Sequence, residues 1–209
     1  MLHEWLPELG LDGFRRTYLG RAPYSRASVA RRAAHAFDWI SLDRYLSTAI
    51  DPDILVISRG KLVEEPPPRS LEEMRAMFAR GIGIVVRHPQ RQCRELAALC
   101  DELARDMPGR QRVLIFATPR GVHGFGWHYD AEEVFIVQTA GEKEYYFRYN
   151  TIDPDPRFGA QPDFSTIRAE TTPLMSCTLW PGDWLYLPRG MWHVAQPLSH
   201  SLSISIGVY

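Results

Sequence analysis

Two short motifs in the second half of the chain contain side chains that could bind a metal ion. In the first, Trp-His128-Tyr-Asp130, the imidazole and the carboxylate are two positions apart, so on an extended strand both point to one face and the two aromatic rings point to the other. In the second, Trp180-Pro-Gly-Asp-Trp-Leu-Tyr-Leu-Pro-Arg-Gly-Met-Trp-His193, two Pro/Gly turns bracket a short strand and the histidine begins the next one. If that strand lies across from the first motif, His193 completes a face of three ligands.

Two imidazoles and one carboxylate on one side of a metal ion leave the opposite coordination positions open. This arrangement suits non-haem Fe(II), which must bind a cosubstrate and oxygen together, whereas a structural zinc site is closed. A bare H-x-D is a weak pattern, because an exposed or otherwise satisfied histidine at a chance spacing is the alternative. The aromatic flanks, the apolar strand that follows and the second motif together favour the metal site.

With their flanks, these motifs resemble the JmjC-type, cupin-like Fe(II) and 2-oxoglutarate-dependent oxygenases, most closely the bacterial branch that includes ribosomal protein hydroxylases. The resemblance is strongest from Val113 to Val208, and Phe14-Arg-Arg-Thr-Tyr-Leu-Gly-Arg-Ala-Pro23 is similar to the opening segment of that branch. It implies a double-stranded β-helix core in which His128, Asp130 and His193 are the catalytic ligands of Fe(II).

The resemblance also implies the reaction. Oxygen and 2-oxoglutarate are consumed, succinate and carbon dioxide are released, and a C–H bond of the substrate is hydroxylated, most naturally in a protein or peptide side chain. Small-molecule hydroxylases share the core, and N-methyl demethylation is the same attack at a methyl group. Because Asp130 is retained, no ligand position is vacated for halide, which favours hydroxylation over halogenation. A non-catalytic cupin-like module that binds a metal or small ligand, or a cupin isomerase or hydrolase with another divalent metal, is the competing interpretation.

A basic residue on the strand after H-x-D pairs with the far carboxylate of 2-oxoglutarate in this family, and the matching position is Lys143. Taken alone, Lys143 lies between two glutamates and could be a solvated charge on a hairpin. It begins a tyrosine-rich strand just past a glycine turn, however, and a carboxylate inside a barrel needs a buried cation as partner. We therefore expect Lys143 to bind the cosubstrate.

One departure from the family concerns the second partner of that carboxylate. The position at which a tyrosine is expected, on the strand before H-x-D, is Phe116. Thr118 nearby and Ser203 on the last strand, with Ser205 at the same parity, are the candidate hydroxyls. Their alternative role is that of ordinary strand residues whose hydroxyls are satisfied by the backbone or by water.

The first half of the chain is expected to supply helices and edge strands around this core. Capping residues predict a short helix over Ser41–Leu46 and a helix over Ser70–Gly81, where Ser70 is the N-cap and Glu73 stands at the capping-box position. From Gln90 to Met107 the apolar residues recur every three or four positions, which predicts an amphipathic helix and explains Cys93 and Cys100 as core residues. Between the helices, β-rich runs predict strands at residues 54–58 and 82–87.

From Arg112 onward, short strands separated by tight turns dominate and no window has a helical period. The predicted strands are Val113–Thr118, Val134–Thr139, Lys143–Tyr149, Cys177–Trp180, Trp184–Leu187 and Leu202–Val208. The proline-rich segment from Asp153 to Asp163 is expected to be an excursion between strands. The fold predicted is mainly β with flanking α-helices, a jelly-roll core over 111–209 and helices and edge strands over 1–110, forming one structural domain.

Composition narrows the class of protein. The 209 residues carry a formal net charge of −1, with 45% hydrophobic and 23% charged residues, which is ordinary for a globular protein and excludes disorder or collagen-like structure. The balanced charge gives no general reason to expect nucleic acid or an anionic membrane as partner. Three cysteines without a C-x-x-C pair, and the lack of a signal or spanning segment, suggest the cytoplasm.

The sequence leaves open whether the protein is a monomer or a homodimer. The larger ribosomal members of the family carry C-terminal dimerisation and winged-helix segments. Because residue 209 directly follows the last core strand, we expect any contacts that those segments make to be absent or replaced here.

Overall fold

The structure is a computed structural model that describes residues 1–157 and 163–209. Within these ranges the helices are α1 (Leu2–Trp5), α2 (Gly10–Thr17), α3 (Arg31–Ala34), α4 (Trp39–Thr48), α5 (Leu71–Ala79) and α6 (Arg94–Asp106), with 3₁₀ turns at Pro89–Arg91 and Phe164–Ala169. The strands are β1 (Tyr24–Arg26), β2 (Ile54–Ser58), β3 (Lys61–Leu62), β4 (Gly83–Arg87), β5 (Gln111–Thr118), β6 (Glu133–Ala140), β7 (Lys143–Arg148), β8 (Met175–Leu179), β9 (Trp184–Leu187), β10 (Trp192–Pro197) and β11 (Ser201–Val208).

The strands form two antiparallel sheets. Eight of those described form a large sheet in the order β1-β9-β6-β11-β5-β4-β2-β3, and three form a small sheet in the order β10-β7-β8. Side chains of β6 and β9 pack against those of β7 and β8 in a hydrophobic cluster between the sheets. The predicted double-stranded β-helix core with flanking helices is therefore confirmed.

The other face of the large sheet is covered by the helices, so the molecule has a second and larger core. Strand β11 places side chains on both faces of the large sheet. Leu202, Ile204 and Ile206 are fully buried in the helix-facing core, while Ser203, of opposite parity, is buried opposite Phe116 on β5. Because successive side chains of a strand point to opposite faces, this alternation places the serine hydroxyl on the side of the small sheet.

Helix α5 follows its predicted capping chemistry closely. The Ser70 hydroxyl accepts a hydrogen bond from the Glu73 N–H at 3.2 Å, and the Glu73 carboxylate accepts from the Arg69 N–H at 2.7 Å. Helix α4 begins at Trp39 rather than at Ser41, because the Asp38 carboxylate accepts from the Ser41 N–H at 2.8 Å and so acts as the N-cap.

Helix α6 begins four residues later than predicted. The Gln92 side chain hydrogen-bonds the backbone of Ile50 in both directions, at 2.8 and 2.9 Å, and Cys93 is in an extended conformation. These contacts hold the chain out of the helix until Arg94. The expected core positions hold nevertheless: Cys93 is buried, and Cys100 packs against the helix-facing core.

Some elements of the described chain were not predicted. Strands β1 and β3 have three and two residues, which is too short for a periodic pattern, and the Phe164–Ala169 turn lies where no helix was expected. Strand β4 pairs with β5, so the first half of the chain extends the large sheet. The division of the chain at residue 110 stays a prediction. Of the predicted proline-rich excursion, residues 158–162, which include Gln161, lie outside the described residues.

No helix in the described parts of the chain has both the length and the apolar composition that a membrane crossing requires.

Candidate metal centre

The three side chains predicted to bind a metal lie together. One ligand atom from each of His128, Asp130 and His193 lies within 4.8 Å of the other two. Nε2 of His193 is 3.6 Å from Oδ2 of Asp130, and the two imidazole centroids are 4.2 Å apart. Among the described residues, this is the one cluster of three or more potential ligands whose donor atoms meet in this way.

The first motif does not lie on a regular strand, but the ligand atoms of His128 and Asp130 lie together as their spacing predicts. His128 forms an isolated antiparallel bridge with His193, in which each N–H donates to the other carbonyl, at 3.1 and 2.8 Å. Beyond this bridge, the Asp130 carbonyl accepts from the Gly190 N–H at 2.7 Å. The glycine-rich approach to His128 has little strand propensity, and one bridge and one turn contact replace the expected ladder.

Hydrogen bonds from the ring nitrogens fix the orientation of both imidazoles. Nδ1 of His128 is 2.7 Å from the Gly126 carbonyl oxygen, and Nδ1 of His193 is 3.0 Å from that of Met191. A carbonyl only accepts, so each Nδ1 carries the hydrogen and each Nε2 lone pair is left for a metal. Burial, followed by the neighbouring His128, lowers the pKa of His193 to about 4, so its ring is neutral at pH 7. Neutral imidazole is the form that ligates metals.

These donors fit a divalent transition metal. Two imidazole nitrogens and one carboxylate oxygen, on one side of the ion, match the site type of non-haem Fe(II). An ion held by three protein ligands keeps positions open for small molecules, as a catalytic site requires. His128, Asp130 and His193 could therefore hold Fe(II) with room for a chelating cosubstrate.

A segment of the β7–β8 loop lies against both motifs from outside. Tyr129, between the two ligands of the first motif, packs edge-on against the Trp192 ring at 4.6 Å and donates a hydrogen bond to the Asp153 carboxylate at 2.9 Å. Asp155 forms an ion pair with Arg189 in the turn before β10. We refer to residues 153–156 as the loop clamp. It joins the backbone that carries His128 and Asp130 to the backbone that carries His193.

Lys143 lies inside the barrel rather than on its surface. Its side chain is 2% exposed, and Nζ donates to Thr118 Oγ1 at 3.3 Å and to Ser203 Oγ at 3.1 Å. Burial lowers the pKa of this ammonium group to about 7, and no carboxylate within the described ranges counteracts the shift. Lys143 is therefore not a solvated hairpin charge, and the two hydroxyls named as candidates in the sequence are its immediate partners.

Two aromatic residues complete the surroundings of Lys143. The ring of Phe116 lies with its centroid 5.9 Å from Nζ. Tyr145, the next inward residue of β7, is buried, and its hydroxyl lies near that of Ser203. Burial raises the pKa of this phenol above its ordinary value. Tyr145 was not singled out in the sequence, although it has the same strand parity as Lys143.

Comparison with known proteins gives a consistent family match. Residues 86–209 match the family model of the JmjC domain. A bifunctional lysine-specific demethylase and histidyl-hydroxylase NO66 from Drosophila pseudoobscura pseudoobscura is 31% identical over 137 residues, which is 64% of this chain and 14% of that protein. Ribosomal oxygenase 1 from Danio rerio is 29% identical over 179 residues, 83% of this chain and 32% of that protein.

Solved structures share the fold. The ribosomal oxygenase YcfD from Escherichia coli superimposes with a TM-score of 0.74 at 20% sequence identity, over 96% of this chain and 53% of that one. A YcfD structure in complex with cobalt and 2-oxoglutarate gives a TM-score of 0.69 at 19% identity, over 97% of this chain and 52% of that one. The chain thus spans about half the length of these structures and a third or less of the two sequence relatives.

Proposed function

The chain belongs to the JmjC domain family, and from this premise we propose that it is a 2-oxoglutarate-dependent Fe(II) oxygenase that hydroxylates a C–H bond in a protein or peptide side chain. One observation carries the proposal. A three-donor metal cluster and a buried ammonium group, which has no counter-ion among the residues that the structure describes, occur in the same barrel. A metal-binding module has no use for such a cation, whereas a dicarboxylate that chelates the metal requires one.

Each residue has a defined part in this proposal. His128, Asp130 and His193 hold Fe(II), which with 2-oxoglutarate and oxygen supplies the oxidant for C–H hydroxylation. Lys143 binds the far carboxylate of 2-oxoglutarate, assisted by the hydroxyls of Thr118 and Ser203. The apolar side chains between the two sheets exclude water from the reacting groups.

The proposed substrate class rests on the relatives. One relative is named a histidyl-hydroxylase and another a ribosomal oxygenase. We therefore place a protein or peptide substrate ahead of a small molecule, and the cytoplasm as the compartment.

The test is an anaerobic titration of Fe(II)-loaded protein with 2-oxoglutarate, followed by the visible metal-to-ligand charge-transfer band. We expect a band that is lost in His128→Ala and weakened in Lys143→Ala, with the fold retained in both. A folded, iron-loaded protein without the band would refute the proposal and favour a binding module. Adding candidate peptides to aerobic reactions and measuring succinate then identifies the substrate, since a true substrate raises succinate release.

A further inference from the structure

The groups around Lys143 offer more hydrogen-bond donors than the described chain can use. An ammonium group has three N–H donors, and two of them are directed at Thr118 and Ser203. Each of these hydroxyls accepts from the lysine and still carries its own proton. Donors that converge in a buried space without acceptors are costly, unless a ligand with several lone pairs enters.

Tyr145 adds another donor to this group. Its hydroxyl lies near that of Ser203, which already accepts from Lys143. The two hydroxyls carry two protons, and a hydrogen bond between them would use only one. One O–H of the Tyr145–Ser203 pair is therefore available to an incoming acceptor, whichever direction the bond between them takes.

Strand register places Tyr145 between the metal cluster and Lys143. On β7, Phe147 lies opposite the ligand His193, Tyr145 lies opposite Ala195, and Lys143 lies opposite Pro197. A molecule that chelates the metal at one end and reaches the ammonium at the other must pass the Tyr145 ring. Its neighbour on β10 is Ala195, whose small side chain leaves room for the phenol ring.

The Phe116 ring on the opposite wall cannot supply this hydrogen bond. Phe116 presents a ring beside Nζ and has no polar atom to donate. On the small sheet, Tyr145 carries a hydroxyl at a register position between these two ends, and Ser203 lies near it on the large sheet. Donors from both sheets thus face the same space.

We propose that Tyr145 is a cosubstrate-binding residue, whose hydroxyl, oriented by Ser203, donates to the far carboxylate of 2-oxoglutarate alongside Lys143 and Thr118. This inference rests on the proposed function. It predicts that Tyr145 recognises the far carboxylate and contributes nothing to the end that chelates the metal.

The experiment compares two 2-oxo acids on the Co(II)-loaded protein by calorimetry. 2-Oxoglutarate has the far carboxylate, and pyruvate lacks it. We expect Tyr145→Phe to weaken 2-oxoglutarate binding about ten- to a hundredfold, as for the loss of one hydrogen bond to a charged group, and to leave pyruvate binding unchanged. Tyr146→Phe is the matched control, because that hydroxyl bonds Glu144 on the other face of the strand, and its affinities should equal those of the wild type.

The outcomes separate the two proposals. Wild-type affinity for 2-oxoglutarate in Tyr145→Phe, or an equal loss for both acids, would overturn the role of Tyr145 while leaving the oxygenase standing. A Co(II)-loaded wild type that does not bind 2-oxoglutarate would overturn the proposed function and this inference with it. If Tyr145→Phe fails to melt cooperatively, Tyr145→Leu serves in its place, with the same selective loss expected and an unchanged affinity for 2-oxoglutarate as the contrary result.

Discussion

The buried Lys143 lowers the free energy of unfolding of the protein when no cosubstrate is bound. The ammonium group is buried, its two partners are neutral hydroxyls, and its pKa falls to about 7. Replacing a buried ion pair by apolar side chains of similar volume is often neutral or stabilising by about 1 to 4 kcal/mol, and a buried charge without an ionic partner costs at least as much. We expect Lys143→Met to raise the free energy of unfolding of the metal-free protein by that order, measured by urea denaturation.

Lys61, the other lysine of the chain, provides the control. It is exposed on β3, so Lys61→Met should leave the free energy of unfolding within about 0.5 kcal/mol of the wild type. A wild type more stable than Lys143→Met would show that the ammonium group has a favourable partner. The lowered pKa of Lys143 also sets the direction in which the stability of the wild type changes with pH. The unfolded lysine keeps its proton up to about 10.5 and the buried one releases it near 7, so wild-type stability should rise between these values.

The same ammonium group predicts a pH dependence of cosubstrate binding. A carboxylate pairs with the protonated lysine, and the free protein loses this proton above about pH 7. The affinity of the Co(II)-loaded protein for 2-oxoglutarate should therefore be constant at lower pH and fall towards tenfold per pH unit above 7. Calorimetry between pH 6 and 9 measures this dependence. Pyruvate should show no such decline, and parallel curves for the two acids would contradict the assignment to Lys143.

The role of a single residue could be predicted from the sequence where that residue belongs to a local motif. His128, Asp130, His193 and Lys143 follow from spacing and from the family resemblance. Tyr145 does not, because its position beside Ser203 depends on the register of β7 and β11, which lie in different sheets. Parity with Lys143 was the available signal, and parity alone does not say which inward residue has a partner.

At the scale of elements, the loop clamp makes a prediction about metal affinity. Asp153 accepts from Tyr129, and Tyr129 packs edge-on against Trp192, so this contact orders the backbone on both sides of the cluster. Loss of a supporting hydrogen bond near a metal site lowers affinity about ten- to a hundredfold. We expect Asp153→Ala and Tyr129→Phe each to weaken Co(II) binding by about tenfold, measured by competition with a chelating dye.

Asp163→Ala, in the same loop, is the comparison variant. Its carboxylate bonds only nearby Ser165 among the described contacts, and it should not change the affinity for Co(II). If all three variants bind Co(II) equally well, the loop clamp does not position the ligands. The loop clamp also lies very close to the turn before β10 at Gly190, whose φ is +78°. A Cβ on this residue would lie 2.5 Å from the Pro154 carbonyl oxygen, so the close approach requires glycine.

Elements were predictable where one face repeats or a cap is present. The six strands named after residue 112 form where expected within one or two residues, because alternation marks them. The differences from the expected elements have physical causes. The H-x-D motif is held by one bridge and a turn rather than by a ladder, and α6 is delayed by the side chain of Gln92, a contact to Ile50 that is distant in sequence.

At the scale of the whole molecule, the helices are expected to unfold together with the barrel. Phe14 on α2 is fully buried, and its ring lies 4.9 Å from that of Tyr186 and 6.3 Å from that of Trp184 on the large sheet. Phe14→Ala should cost about 3 to 5 kcal/mol, the range for truncating a buried aromatic. Circular dichroism and Co(II) release, followed during urea denaturation, should give one shared midpoint that is shifted in the variant.

Two separate midpoints would mean that the molecule contains two units that unfold independently. If the helical signal were lost while the protein still held Co(II), residues 1–110 would form a separate unit, contrary to the single domain predicted from the sequence. The large sheet argues for one transition, because β1, β2, β3 and β4 are hydrogen-bonded into it along with the barrel strands.

The bridge between His128 and His193, together with the Gly190 contact to Asp130, positions the three ligands through hydrogen bonds among protein atoms. The backbone pairing and the ring hydrogen bonds to Gly126 and Met191 are formed by protein atoms alone. A site that is shaped by protein contacts does not select among metals through folding. Among divalent ions, nitrogen and oxygen donors favour cobalt, nickel and copper over iron. We therefore expect metal supply to decide which divalent ion the site binds, and excess copper to displace iron without unfolding the protein.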